Sequence, residues 1–269
     1  MTTTLNLFAT LAWLVTWLLI GLRLRDRLQT RTPNYRRLLV LVWLLSLTLH
    51  GWSTLQHIWQ GNGVSISFAA ASSIVMWLCN LLLFMTMLKR PLETLGIFIV
   101  PFTASAMLLP LFNTSPTTII TLNNGLGIHI FTSLLAYSML TLAALQASLL
   151  ALQNKHLHNH QPGGLIRTLP PLLDMEVLLF KLILLGVILL SLGLLSGALY
   201  VDNLFAQHLV HKTILSIVAW IVFTALLVGH WRYGWRGRIA IRWTLSGFFI
   251  LMLAFFGSKF VLEFLVNPS

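Results

Sequence analysis

The chain has 269 residues, 57% of them hydrophobic and 9% charged, with a mean hydropathy of +0.86 and a formal net charge of +11. A soluble domain carries about 25% charged residues and needs them to cover its exterior, so this composition excludes a water-soluble globule and makes lipid the solvent. The single cysteine, Cys79, lies inside an apolar run and reads as a small packed side chain, which excludes a disulfide framework and a cysteine metal cluster.

Crossing the hydrocarbon core takes about 20 apolar residues in helical form. Runs of that size lie near 5–22, 38–58, 67–88, 95–112, 125–152, 175–200, 213–228 and 239–262. The expectation is therefore an all-α polytopic membrane protein of about eight transmembrane helices, forming a single membrane domain over 1–269. Strands are not expected in these runs, because lipid tolerates no unpaired backbone group and the runs exceed barrel-strand length. The first run follows the uncharged stretch Met1–Asn6 and precedes its arginines, opposite to a cleaved signal peptide. It reads as a retained span inserted N-terminus outward. No internal repeat is visible, and hence no sign of the inverted halves of many secondary transporters.

Lysine and arginine orient the chain. The loop after span 1 is expected to hold Arg23, Arg25, Arg27, Arg31, Arg36 and Arg37. Alternate loops carry Lys89 and Arg90, then Lys155 and Arg167, then Arg232, Arg236 and Arg238, while the opposite side has only Lys212 and Lys259 near span ends. Both termini are thereby placed outside. The positive charge is a topology signal, with an added attraction for anionic headgroups, and not a nucleic-acid surface. Trp52, Trp59, Trp231 and Trp235 fall near span ends, as interfacial anchors do.

Histidine is the informative residue: there are nine, against six acidic residues. An ionisable group at membrane depth is a functional-site hypothesis by default. Counting residues from the span ends puts His129 about 6 Å and His50 about 12 Å below the outer surface. His57 follows His50 by two turns on a similar face, at the outer interface, where it is expected to be solvated. His208 and His211 stand at the outer start of span 7, and His230 closes that span at the cytoplasmic edge. His230 is thus about a membrane thickness from the others and cannot share their metal. Two imidazoles from facing helices can hold a haem iron, and apolar aromatic walls suit a porphyrin. Each histidine alone can equally serve as a hydrogen-bonding group between helices. The alternating histidines of His156-Leu-His-Asn-His160 are expected to be solvated in a cytoplasmic loop. No span interior carries a carboxylate, which weakens a cation-coupled transporter. No nucleophile elbow, phosphate loop or carboxylate pair is visible, so hydrolytic and phosphoryl-transfer chemistry have no visible residues.

The second half resembles a known group. Leu169-Pro-Pro-Leu172, Glu176, Phe180-Lys181, Gly186 and Leu190-Ser-Leu-Gly193 to Gly197 are similar to the segment introducing span 6 in CcsA/HemX-type cytochrome c assembly proteins. His211-Lys-Thr through Ala219-Trp220 to Gly229-His230, then Gly234-Trp-Arg-Gly237, resembles the following span and basic loop. Phe256-Gly257 and Gly127-Ile-His129 with Ala136-Tyr137 also match, and the size resembles the small YpjD/HemX-like branch. The resemblance implies haem handling at the outer face of a bacterial inner membrane, with His129 as the external ligand and His230 as the membrane histidine. Its departures are the absence of tryptophan from Val201–His211, where the family has a haem platform, and of a second external histidine after the last span.

Together these features suggest a haem-binding, accessory or regulatory membrane protein. The suspected cofactor is haem, with His129 and His50, or His129 and His211, as iron ligands and His230 in a separate inner site. Possible partners are haem-delivery, cytochrome assembly or other membrane proteins in the bilayer. The alternatives are a cofactor-free membrane scaffold and a small-solute or metal transporter. The charge asymmetry predicts that reporters fused after Arg27, Lys89, His160 and Arg236 face the cytoplasm and that one at the C-terminus faces outward. A cytoplasmic C-terminal reporter would contradict this orientation.

Overall fold

The computed structural model describes residues 2–28, 36–60, 63–65, 67–89, 93–112, 119–120, 124–158, 169–200 and 210–257. His160, His208, Arg31, Arg90, Arg167 and Lys259 lie outside the described residues, as does the segment 201–209. The helices are α1 (Thr2–Leu28), α2 (Arg36–Ile58), α3 (Phe68–Lys89), α4 (Glu93–Phe112), α5 (Asn124–His158), α6 (Leu172–Tyr200), α7 (Val210–Tyr233) and α8 (Arg238–Met252). A π-helical turn, Leu253–Gly257, continues α8. All eight helices are long and apolar enough to cross a membrane, α8 together with its π-turn.

The chain divides into two compact units. In the first, α1 packs on α2 and α4, and α3 packs on α2 and α4, so the four helices form a ring. Three short strands join this unit: β1 (Trp59–Gln60), β2 (Gly63–Ser65) and β3 (Ile119–Ile120), antiparallel in that order. They pair the backbone of segments flanking α2, α3 and α4, which hydropathy alone does not foresee. In the second unit the neighbours are α5 with α6, α6 with α7, α7 with α8, and α8 with α5, again a ring.

Small residues and polar side chains let these apolar helices recognise one another, since lipid removes the ordinary hydrophobic drive between them. On α6, Gly186, Gly193 and Gly197 face Leu140, Ser133 and His129 of α5, and a Cβ at Gly186 would come within 2.6 Å of the Leu140 side chain. Gln146 and Gln153 of α5 donate to the carbonyls of Met175 and Pro170, 3.1 Å each, which fixes where α6 starts against α5. The indole of Trp220 on α7 donates to Ser191 Oγ on α6 at 2.8 Å.

Some expectations need correction. Arg23 and Arg25 are not in a loop: α1 continues to Leu28, and Arg23 is buried. Arg36 and Arg37 open α2, and Arg36 donates to the Leu88 carbonyl at the end of α3. The cause is that the long apolar stem of an arginine packs along a helix end, so positive charge alone does not terminate a span. The expected loop after Leu152 is helical through His158, and His156 Nδ1 bonds its own helix at Leu152 O, 3.0 Å. At 35 residues α5 is about 52 Å long, beyond the about 30 Å of a hydrocarbon core.

Helix α4 contains Pro101 and Pro110. Pro101 has no N–H, so the Ile97 carbonyl four residues earlier loses its intrahelical donor. The indole of Trp17 on α1 donates to that oxygen at 2.9 Å. Replacing Trp17 by Phe should therefore cost about 1 kcal/mol of stability in detergent. The same substitution in a Pro101→Ala background should cost much less, because the alanine N–H reaches Ile97 O. A thermal or denaturant double-mutant cycle measures the coupling, and additive losses would show that the indole bond does not compensate the proline.

Candidate functional site

Nine histidines raised the question of which imidazoles are spent on structure and which keep a ligand lone pair. His50 and His57 belong to the first unit, and His129, His211 and His230 to the second. Among the described residues no group of three or more His, Cys, Asp or Glu side chains is placed to hold a metal.

In the first unit the polar residues of α1 and α2 recur at helical spacing: Asn6, Thr10 and Trp13 on one, Ser46, His50, Ser53 and His57 on the other. All but His57 are buried. Trp13 Nε1 donates to His50 Nδ1 at 3.1 Å. An indole can only donate, so Nδ1 accepts, and the neutral ring carries its hydrogen on Nε2. Nε2 lies 2.9 Å from Ser73 Oγ and donates to it. Ser73 in turn donates to Met107 Sδ at 3.7 Å, which leaves Thr54 Oγ1, 2.8 Å away, as a donor to Ser73. Four helices thus converge on His50, and both of its ring nitrogens are engaged. Iron ligation there would require giving up either the Trp13 or the Ser73 bond. Nearer the strands, Asn6 Nδ2 donates to His57 Nε2 at 2.8 Å, and Ser53 donates to Asn6 Oδ1. His57 is half-buried and bonded, where sequence suggested a solvated ring.

In the second unit His129 sits near the start of α5 and is half-buried. Its ring lies against Gly197 of α6, where a Cβ would come within 3.0 Å of Cε1. Nδ1 is 2.9 Å from the Gly193 carbonyl and 3.3 Å from Ser196 Oγ. A carbonyl only accepts, so Nδ1 carries the hydrogen and the neutral ring keeps its lone pair on Nε2. Among the described residues nothing hydrogen-bonds that nitrogen. Metal-ligating histidines are commonly held in this way, one nitrogen on a backbone carbonyl and the other presented.

His230, near the end of α7, has the same arrangement. Nδ1 donates to the Trp235 carbonyl at 3.0 Å, and the ring stacks on Phe180 of α6 with centroids 3.6 Å apart and planes 16° apart. The turn that supplies the carbonyl is built by glycines. Gly234 and Gly237 have φ of 68° and 55°, in the left-handed region that other residues avoid. Gly229 lets Trp235 fold back, since a Cβ there would meet its ring at 2.3 Å. Glu176 Oε1 accepts the Gly237 N–H at 2.8 Å. Trp235 is half-buried against Gly229 and Trp243.

Along α6, Gly197 and Phe180 are 17 positions apart, so His129 and His230 are held about 25 Å apart along that helix. They cannot share a metal. His211 lies in the first turn of α7, 19 residues or about 28 Å before His230, and so at the end of the unit away from it.

A family model described as cytochrome C assembly protein matches residues 37–266. The chain belongs to the cytochrome C assembly protein family. Inner membrane protein YpjD of Escherichia coli is 39% identical over 142 residues, 51% of this chain and 52% of that protein. A protein of Azospirillum brasilense named "uncharacterized 28.8 kDa protein in nifR3-like 5'region" is 33% identical over 144 residues, 53% of each chain. The alignments thus span about half the length of the curated relatives matched. No solved structure matches the chain. The family match covers every histidine described above, from His50 to His230.

The hydrogen-bond partners predict tautomers. Spectra of protein labelled with 15N-histidine should show His50 protonated at Nε2, and His129 and His230 at Nδ1. Trp13→Phe should broaden or split the His50 signals while leaving the other two unchanged. A His50 ring protonated at Nδ1 in the intact protein would contradict the network.

Proposed function

We propose that this chain is a haem-handling protein of the bacterial inner membrane, accessory to or regulating cytochrome c assembly and not itself an enzyme. Membership of the cytochrome C assembly family and the inner-membrane name of the Escherichia coli relative support the setting. The observation that carries the reading is His129, whose Nδ1 is committed to Gly193 O while Nε2 keeps its lone pair on a ring seated over Gly197. This donor suits a haem iron.

In this reading His129 Nε2 would ligate the haem iron, and His211, in the first turn of α7 of the same unit, would be the second histidine to hold it. His50 is less suited, because both of its nitrogens already bond protein groups. Ile128 and Phe131 of α5 and Ile214 of α7, close in sequence to the two histidines, are exposed apolar side chains of the kind that line a porphyrin site. Bound haem would supply a redox-active, strongly absorbing iron centre. The protein's own part is to hold the imidazole tautomer, orient the ring against α6 and limit water at the ligand nitrogen.

The second reading, a cofactor-free scaffold, is favoured by the engagement of His50 and His57 within the protein. The two readings separate in an absorption spectrum of protein purified in mild detergent. Under the haem reading, purified protein shows an intense violet absorption band. His129→Ala loses it, His211→Ala loses or shifts it, and His50→Ala lowers thermal stability while keeping haem content. Full haem content in His129→Ala, or no haem in the wild type after reconstitution, would sink the assignment and leave the scaffold.

A further inference from the structure

The glycine-built turn after α7 borders a cleft of about 240 Å³ in the second unit, between α6 and the α7 end. The cleft is lined by the apolar Leu173, Val177, Leu184 and Leu227 and by the polar Lys181, Arg236, Glu176 and His230. Leu173, Val177 and Trp231 are 61%, 45% and 66% exposed, so the apolar wall continues onto the outer surface of the helices. In a membrane that surface meets acyl chains.

The charges of the cleft are unequal. Glu176 is tied to the turn through the Gly237 N–H at 2.8 Å. Among the described residues neither Lys181 nor Arg236 makes an ion pair or a hydrogen bond. Arg232 and Arg238 stand on either side of the same turn. Two cations without an ion-pair partner outnumber the one carboxylate of the cleft, and with the aliphatic wall they match an anionic amphiphile: the head meets the cations and the tail follows the wall. A zwitterionic lipid brings an ammonium group to the same place and is repelled. His230 adds a finer preference. Its Nδ1–H is used by the Trp235 carbonyl, so Nε2 of the neutral ring accepts, and a headgroup hydroxyl can donate to it.

We infer that this cleft is a binding site for an anionic phospholipid of the adjoining leaflet. Lys181 and Arg236 hold the phosphate, the aliphatic wall takes the start of an acyl chain, and His230 Nε2 accepts a headgroup hydroxyl. Positively charged juxtamembrane residues attract anionic lipid generally, but the cleft places two of them over one pocket with an orienting acceptor. The site does not depend on haem at His129.

The test is native mass spectrometry of the full chain in mild detergent, titrated with phosphatidylglycerol, phosphatidic acid or phosphatidylcholine. Phosphatidylglycerol should form discrete adducts and phosphatidylcholine should not. Lys181→Gln and Arg236→Gln should each weaken phosphatidylglycerol by about fivefold, with unchanged helicity and melting in the absence of lipid. Val177→Trp, which fills the cleft from its exposed side, should reduce the adducts while both cations remain. His230→Phe should erase the preference for phosphatidylglycerol over phosphatidic acid while keeping phosphate binding. Equal retention of anionic and zwitterionic lipid, or full retention by the Lys181→Gln and Arg236→Gln double variant, would overturn the inference. So would a double variant that keeps lipid and loses haem, since the occupant would then be a porphyrin.

Discussion

No water is at hand in the hydrocarbon core to satisfy a polar group, and that constraint governs nearly every specific contact in this protein. A backbone or side-chain donor placed at membrane depth is costly unless it finds an acceptor on another part of the chain. The helices are held by this requirement more than by apolar attraction, because lipid is as apolar as leucine. Trp77 of α3 illustrates it: its indole donates to the Leu47 carbonyl of α2 at 2.8 Å, and Gly51 leaves room for the ring to approach. Gln146 and Gln153 perform the same task between α5 and α6. Without these partners each group would stand unsatisfied in an apolar medium, at a cost of about 1–3 kcal/mol.

The same constraint gives histidine two distinct uses. His50 is a structural junction: it accepts from an indole and donates to a hydroxyl, and four helices converge on it. His129 and His230 are instead pinned from one side only, each through Nδ1 to a main-chain carbonyl. The difference lies in the neighbours. His50 faces Trp13 and Ser73, which together occupy both nitrogens. His129 rests on Gly197, which offers space, and its Nδ1 meets the Gly193 carbonyl with Ser196 Oγ beside it, so the neighbours engage one nitrogen only.

Most of the fold was legible from hydropathy, because a membrane span announces itself by length and composition alone. All eight spans lie where the apolar runs lie, within a few residues at most ends. What hydropathy misses is the direction a residue faces. Arg23 looked like a loop residue by charge, yet α1 carries it into the protein. The partners of His50 come from α1 and α3, separated from it by up to 37 residues in sequence, and no local pattern states such pairings. A clue was present in the spacing of Asn6, Thr10 and Trp13 and of Ser46, His50 and Ser53, which puts polar groups on one face of each helix. At the other site, Gly234 and Gly237 hinted at a tight turn, but not that its carbonyl would meet His230. The short β1–β3 pairing had no signal, since two- and three-residue strands leave no periodicity to read.

Pro101 has a consequence for how the first unit comes together. A proline in an apolar helix leaves one carbonyl exposed at a fixed height, and here Trp17 covers it. That makes the proline a key with a single lock. If α1 slid by one turn along α4, or a different apolar helix took its place, the Ile97 oxygen would face lipid and the indole would lose its acceptor. Two nearly featureless greasy surfaces thus acquire a unique register, enforced by the penalty on every wrong alignment. The fidelity of helix assembly rests on a flaw in one helix that only one neighbour can repair.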